Sequence, residues 1–315
     1  MSTALFTHPA CLRHETPSGH PERVDRLRAV LAALEDEQFA ALIRREAPPV
    51  ALDLAAALHS SEMLASTQAA VEAAQARGGA AAIDGDTCVC GDSWQAALHA
   101  AGACVAAVDA VLGGEARSAF CAVRPPGHHA ERDRAMGFCL LNTVAIAARH
   151  ALDAHGLERV AIVDFDVHHG NGTADIFADD PRVLYISTHE WPLFPGTGRE
   201  SDTGAGNLVN VTLPTGCGPE AFRLAFESAV DPAIDRHRPQ LLLISAGFDA
   251  HAADPLATIQ ADVEEFEWMT ERLCALAERH CDGAIVSTLE GGYDLRALQD
   301  GVAAHVATLM RHAQK

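Results

Sequence analysis

Short apolar runs of similar length recur along the second half of the chain: Val160 to Val163, Val183 to Ser187 (VLYIS), Leu241 to Ser245 (LLLIS) and Ala284 to Thr288 (AIVST). None of them alternates apolar with polar residues, which is the pattern of strands buried on both faces. Ala119 to Val123 and the run from Ala4 to Thr7 read the same way, and residues 208–212 suggest a shorter strand. Segments with helical spacing lie between them. One begins at Val24 with Leu27, Val30, Leu31 and Leu34, and others cover 51–77, 93–112, about 141–152, about 219–236, part of 245–284, and 295–311. Strands alternating with helices predict an α/β fold, an open and mostly parallel sheet with helices on both faces. No linker, repeat or low-complexity segment interrupts the 315 residues, so a single domain over 1–315 is expected.

The strand at 160–163 ends in an unusual cluster, DFDVHHGNGT. If the extended conformation persists, alternation places Asp164, Asp166 and His168 on one face and Phe165 and Val167 on the other. Asp166 and His168 would then be about 6.5 to 7 Å apart at Cα, close enough to share a cation through bonds of about 2 Å. An isolated Asp-x-His is more often an ordinary polar loop leaving a sheet. Its setting here is special, because ligands of open parallel sheets bind beyond the carboxyl ends of strands.

Three further reactive segments follow predicted strands. RPPGHHA at 124–130, which runs into MGFCLLN at 136–142, holds adjacent His128 and His129 after a rigid turn; two imidazoles there need a polar pocket. SAGFDAHAADP at 245–255 presents Asp249, His251 and Asp254. LEGGYDL at 289–295 has paired glycines that let backbone and phenol approach a ligand. His8, His14 and His20 lie in an N-terminal loop punctuated by Pro and Gly, where solvated or capping histidines are the usual outcome. Asp84 and Asp92 read as turn or helix caps.

Composition narrows the partners. A formal charge of −20 opposes contact with nucleic-acid phosphates and anionic membranes, and it favours cationic substrates. An apolar content of 49% is that of a globular protein, and no stretch is expected to span a bilayer. The first residues lack a basic region followed by an apolar one, so the expected compartment is cytoplasmic. Nine scattered cysteines imply no disulfide framework, and Cys88 and Cys90 have no companion pair at zinc-finger spacing.

Taken in order, RPPGHHA, DFDVHHGNGT, LFPGTG at 193–198, GFDAHAADP and EGGYD resemble the zinc-dependent histone deacetylase family, in particular class II and the bacterial amidohydrolases and acetylpolyamine amidohydrolases. The resemblance covers essentially the whole chain and implies an arginase-like fold. It implies one zinc per chain held by Asp166, His168 and Asp254, a ligand set that leaves a coordination position open. It further implies His129 as general base and then acid, His128 protonated and paired with Asp164, and Tyr293 as donor to the oxyanion. Gly137, Phe138 and Phe194 match the walls of a narrow acyl-lysine tunnel. Asp86, or Asp84 if the loop register slips, matches a rim aspartate that holds a peptide backbone. Asp164 and Ser187 match a structural potassium site. The implied substrate is an acyl-lysine peptide or protein, or a small acylated amine, and an oligomer is compatible with the pattern.

Asn171 stands where class I members carry an aspartate beside the second histidine, which would weaken His129 as a base. Ala261 falls where many relatives have a larger residue at the tunnel mouth, which suggests a wider tunnel. A binuclear manganese ureohydrolase on the same fold would need aspartates where this chain has Gly170 and His251, so one metal is favoured. The short loop from Ala80 to Ser93 favours a peptide over an acetylpolyamine. A silent acyl-binding module would be expected to have lost Tyr293, His129 or a metal ligand, and none is missing.

Overall fold

The computed structural model describes residues 2–314. Its main sheet has eight strands: β1 (Thr3–Thr7), β2 (Ile43–Glu46), β5 (Ser118–Cys121), β6 (Val160–Asp164), β7 (Val183–Trp191), β8 (Leu208–Pro214), β9 (Leu241–Ala246) and β10 (Ile285–Leu289), with a small antiparallel pair β3 (Ala81–Ala82) and β4 (Cys88–Val89) between β2 and β5 in the chain. The order across the main sheet is β2-β1-β5-β10-β9-β6-β7-β8, and every pairing is parallel. The central strands β5, β6, β9 and β10 are buried along their whole length. That is why their sequences show no alternation: helices cover both faces.

The covering helices are α1 (Val24–Ala33), α2 (Leu52–Ala56), α3 (Ser61–Arg77), α4 (Ser93–Leu112), α5 (Thr143–Ala154), α6 (Asn171–Phe177), α7 (Pro219–Ala225) and α8 (Asp231–His237) joined through a π-turn, α9 (Val263–Cys281) and α10 (Leu295–Ala313). Helix α9 begins on a capping box in which Asp262 and Glu265 satisfy each other's backbone N–H groups. The rings of Phe165, Phe248 and Phe266 pack edge-on or tilted against one another, and His305 meets Phe165 and Phe248 edge-on.

Several local expectations change. The helix expected over 51–77 is two helices, because the Ser60 hydroxyl accepts the Met63 N–H and starts α3 afresh. Strand β2, IRRE, is missing from the apolar reading because it is an exposed edge strand with one neighbour, and charge protects such an edge. Strand character ends at Asp164 instead of continuing toward His168. Helix α4 is long and apolar enough to cross a membrane by length and composition, with a mean hydropathy of 1.5, contrary to the sequence expectation; two thirds of that window is buried inside the fold, as a core helix requires.

Helix α4 reaches its place only because Gly102 lets the chain at 48–50 press against it. A Cβ there would overlap the Pro48 carbonyl and lie 2.7 Å from Val50 N. Gly→Ala inside a helix ordinarily stabilises by about 0.5–1 kcal/mol. Here the sign reverses: Gly102→Ala is expected to destabilise by roughly 1–3 kcal/mol, read as a lower urea midpoint at unchanged slope.

Candidate active site

Because neighbouring strands β5, β10, β9 and β6 are parallel, their carboxyl ends share one edge of the sheet. Each delivers one reactive segment to that edge: Arg124–Ala130 from β5, Glu290–Asp294 from β10, Gly247–Asp254 from β9 and Phe165–Asn171 from β6. The convergence at β6 does not come from pleat alternation. Asp164 Oδ1 accepts the Asp166 N–H (3.1 Å) and Asp166 Oδ1 accepts the His168 N–H (2.9 Å), so successive side chain to backbone turns fold the segment onto itself.

At the bottom of the site His168 Nδ1 lies 3.0 Å from Asp166 Oδ1 and 3.1 Å from Asp249 Oδ2. These three donors are buried and lie within 4.8 Å of one another. Asp166 Oδ2 accepts the Gly291 N–H (2.8 Å) and Asp249 Oδ1 the Val167 N–H (2.9 Å), which fixes both carboxylates. Asp254, expected as the third ligand, lies outside this tight group and Asp249 stands in it. The two Asp254 oxygens accept the N–H groups of Leu256 (2.9 Å) and Tyr293 (2.7 Å), which holds the carboxylate between those two residues.

The donor set suits a divalent cation. Burial, then the neighbouring Asp166, pushes Asp249 up to about 7, while burial raises Asp254. Burial opposes charging of His168, but its hydrogen bonds to Asp166 and Asp249 raise it to about 10. One imidazole nitrogen and carboxylate oxygens crowded to hydrogen-bond spacing, short of positive charge, fit zinc, and a proton on His168 competes for the same space.

Two adjacent histidines sit above this group with opposite electrostatics. His128 Nδ1 donates to Asp164 Oδ2 (2.9 Å); burial disfavours its charge, but Asp164 and Asp166 outweigh that and hold it well above the ordinary histidine value. His129 is pushed well below that value by burial and by His128 and His168. Its Nδ1 donates to Asn171 Oδ1 (2.7 Å), and the Asn171 amide nitrogen donates to Glu131 (2.6 Å), which fixes the amide's orientation. The proton on Nδ1 leaves Nε2 of a neutral His129 as a free base on the pocket side.

A cavity of about 220 Å³ leads to these groups, lined by Asp86, His129, Gly137, Phe138, His168, Leu193, Phe194, Leu256 and Tyr293. Phe194 stands edge-on to His129 with ring centroids 5.1 Å apart, and Phe138 edge-on to Tyr293 at 5.9 Å. Gly137 has a positive φ, and a Cβ there would lie 2.6 Å from His129 Cγ, so only glycine admits the histidine ring. Asp86 reaches the cavity while Asp84 is used internally, accepting the Asp86 and Thr87 N–H groups. Tyr293 is held as a neutral phenol, its value well raised by burial and by Asp249, Asp166 and Asp254 against the lowering effect of Arg26.

Other residues fall differently. Ala261 does not line the cavity: it is fully buried and bonds to Ala250 and Ala252, and Leu256 forms that wall, so the argument for a wider tunnel falls. Ser187 is the register partner of Asp164, but its hydroxyl faces His189 (2.9 Å), and the Asp164 carboxylate also accepts the Tyr185 hydroxyl (2.9 Å). His169 turns away to Thr197 (2.8 Å), and His251 caps its own turn through Ala253 (3.1 Å). At Gly170 a Cβ would overlap Tyr185 Oη and Asp164 Oδ2, so the aspartate that a second metal would need has no room.

A model of the histone deacetylase domain matches residues 20–309. The chain belongs to the histone deacetylase family. It is 38% identical over 302 residues to a probable deacetylase of Archaeoglobus fulgidus, covering 94% of this chain and 82% of that protein. It is 42% identical over 233 residues to the mouse polyamine deacetylase HDAC10, covering 70% of this chain and 34% of that one. The crystal structure of the HDA15 HD domain superposes with a TM-score of 0.92 at 35% identity, over 100% of this chain and 89% of that one. The chain is thus a hydrolase of this family, with a mostly parallel sheet like that of the HDA15 domain and a buried group of donors that could hold a metal.

Sequence reading gave no role to Glu290, which is fully buried, accepts the Gly127 and His128 N–H groups (2.7 and 3.2 Å), and is pushed up to about 7 by burial. It also missed Arg26, which donates to the carbonyls of Glu290 (2.5 Å) and Gly292 (2.6 Å) with its guanidinium 4.9 Å from the Tyr293 ring centroid. Glu290 could have been noticed as an acid directly after a buried strand; Arg26 looks like an ordinary helix residue. Since a proton must leave His168 for zinc to enter, zinc affinity should rise roughly tenfold per pH unit from 7 to 8 and more steeply below about 7, where Asp249 also gives up a proton. Competition with a chromophoric chelator measures this. Asp249→Asn should lower affinity by about 10–100-fold and remove the steeper part.

Proposed function

We propose that this family member is a zinc-dependent amidohydrolase that removes acetyl or related acyl groups from the ε-amine of lysine in peptides or proteins. The observation that carries it is one cavity lined by a neutral histidine base, a phenol and His168 of the buried donor cluster, with a protonated histidine packed against the base. Asp166, His168 and Asp249 would hold the metal, with Asp254 beside them as the expected further carboxylate. Zinc bound there supplies positive charge that polarises an amide carbonyl and lowers the pKa of a water.

The chain's own groups account for the rest. Nε2 of His129 takes the proton of the attacking water and returns it to the departing amine. Asn171 keeps the tautomer that makes this possible. His128 remains cationic against Asp164 and stabilises negative charge that grows on the carbonyl oxygen, toward which Tyr293 donates its hydroxyl. Gly137, Phe138, Leu193, Phe194 and Leu256 exclude water and suit a slim methylene chain, and Asp86 at the rim suits backbone amides. The potassium expected beside Asp164 and Ser187 remains part of this proposal. Nine scattered cysteines with no disulfide framework in their spacing support a reducing, cytoplasmic setting.

An acylated polyamine is the second reading, favoured by the likeness to a polyamine deacetylase. A polyamine keeps further ammonium groups outside the tunnel, and the cavity wall offers them one rim carboxylate, Asp86. Rates on acetyl-lysine peptide, longer acyl-lysine peptides and acetylspermidine should rank the acetyl-lysine peptide above acetylspermidine; the reverse order would reassign the substrate. Tyr293→Phe should lower kcat by about 10²–10³ with little change in KM. Chelation should abolish turnover and zinc restore it, whereas peptide binding with no product would indicate a silent binding module.

A further inference from the structure

Away from the catalytic edge, helices α4 and α5 bring together a second group of metal-type donors. Asp109 lies in the last turns of α4, His150 on α5, and His155 is the residue that caps the carboxyl end of α5. Nε2 of His150 and Nε2 of His155 each lie 2.7 Å from the same oxygen, Asp109 Oδ1. The two rings stand nearly perpendicular, at 78° with centroids 5.5 Å apart, so both Nε2 atoms converge on one point without stacking. All three donors lie within 4.8 Å of one another.

The geometry points to a second, surface metal site: a two-histidine, one-carboxylate set that takes a divalent transition ion such as zinc or nickel and staples α4 to α5. The two imidazole contacts to one oxygen are replaced, on metal binding, by three bonds of about 2 Å to a shared centre. Around such a centre donor atoms stand about 3.3 Å apart, so the existing 2.7 Å edges need only open slightly. Imidazole nitrogens favour zinc, nickel and copper over magnesium and calcium, which want oxygen ligands. The side chains are also accessible, His150 and His155 being 13% and 26% exposed and Asp109 52%. An ion can enter without the fold opening, and water can complete its coordination.

The site is distinct from the catalytic one. Helix α5 starts at the cap residue Asn142, which bonds to Ala130 and Thr173 near the catalytic loops, and it runs away from them. Its twelve residues carry the chain about 18 Å, toward the amino-terminal edge of the sheet where β6 begins. None of Asp109, His150 and His155 lines the catalytic cavity.

The test uses the zinc-loaded 315-residue protein titrated with nickel or additional zinc, with bound metal counted by mass spectrometry and melting followed in parallel. One more equivalent is expected in the parent protein than in Asp109→Asn or His155→Gln, together with a metal-dependent rise in Tm that both variants lose. Because the readout is a difference between proteins with identical catalytic groups, it holds whatever metal those groups carry. Acetyl-lysine turnover should be unchanged in both variants. The proposal is overturned if parent and variants bind the same number of ions, or if the rise in Tm survives in His155→Gln, whose partly exposed position at a helix end tolerates substitution.

Discussion

The carboxyl edge of the sheet holds more buried acid than its own protein groups neutralise, and the arrangement of the site follows from how that excess is met. Asp164, Asp166, Asp249 and Glu290 are at most 1% exposed. Burying an ionised carboxylate without a partner costs several kcal/mol. Asp164 is met by a cationic His128 and the Tyr185 hydroxyl, and Glu290 by two backbone N–H groups. Asp166 has the Gly291 N–H and His168. Asp249 has one N–H and a shared imidazole, and burial beside Asp166 pushes it up to about 7. A divalent cation held by Asp166, His168 and Asp249 would relieve the excess, so the same electrostatics would give the site its affinity.

A second layer of charge holds the first in place. Glu22, Arg26 and Arg124 are completely buried, and Glu22 meets both guanidinium groups. Burial works against Glu22, yet Arg124 and His14 hold it well below the ordinary carboxylate range. Arg124 reaches back to the carbonyls of Cys11 and His14, and Arg26 forward to those of Glu290 and Gly292. The N-terminal loop, the strand end before the histidine pair and the loop carrying Tyr293 are thereby tied together. Losing one partner of such a network leaves an unpaired buried charge, a larger penalty than the network's net contribution to stability.

The strand order across the sheet cannot be read from the chain, but the identity of its central strands can, because residues buried on two faces cannot alternate. Charged edges such as Ile43 to Glu46 escape that rule. In the site, His128, His129, Asp166, His168 and Tyr293 were legible because each sits in a short motif at a strand end. Asp249 was visible but had no assigned role, since its approach to His168 depends on β9 lying beside β6, a pairing the sequence does not encode locally. Ala261 and Leu256 show the complementary failure: in an irregular loop a shift of five positions changes which side chain faces a cavity, and no periodicity exists to correct it.

Of two residues adjacent in sequence, His128 favours the charged imidazolium and His129 the neutral imidazole, and that difference suits hydrolysis of an amide at neutral pH. Acid and base functions must coexist within a few ångströms, which in water would let them neutralise each other. Separate partners prevent this. Asp164 is an anion and rewards a proton on His128; Asn171 is neutral and gives no such reward to His129. The cation formed on His128 then lowers His129 further, so each assignment reinforces the other. An aspartate in place of Asn171 would raise His129 toward protonation and weaken the contrast. The amide therefore does more than orient a ring: it keeps the base free to accept a proton while His128 carries the positive charge.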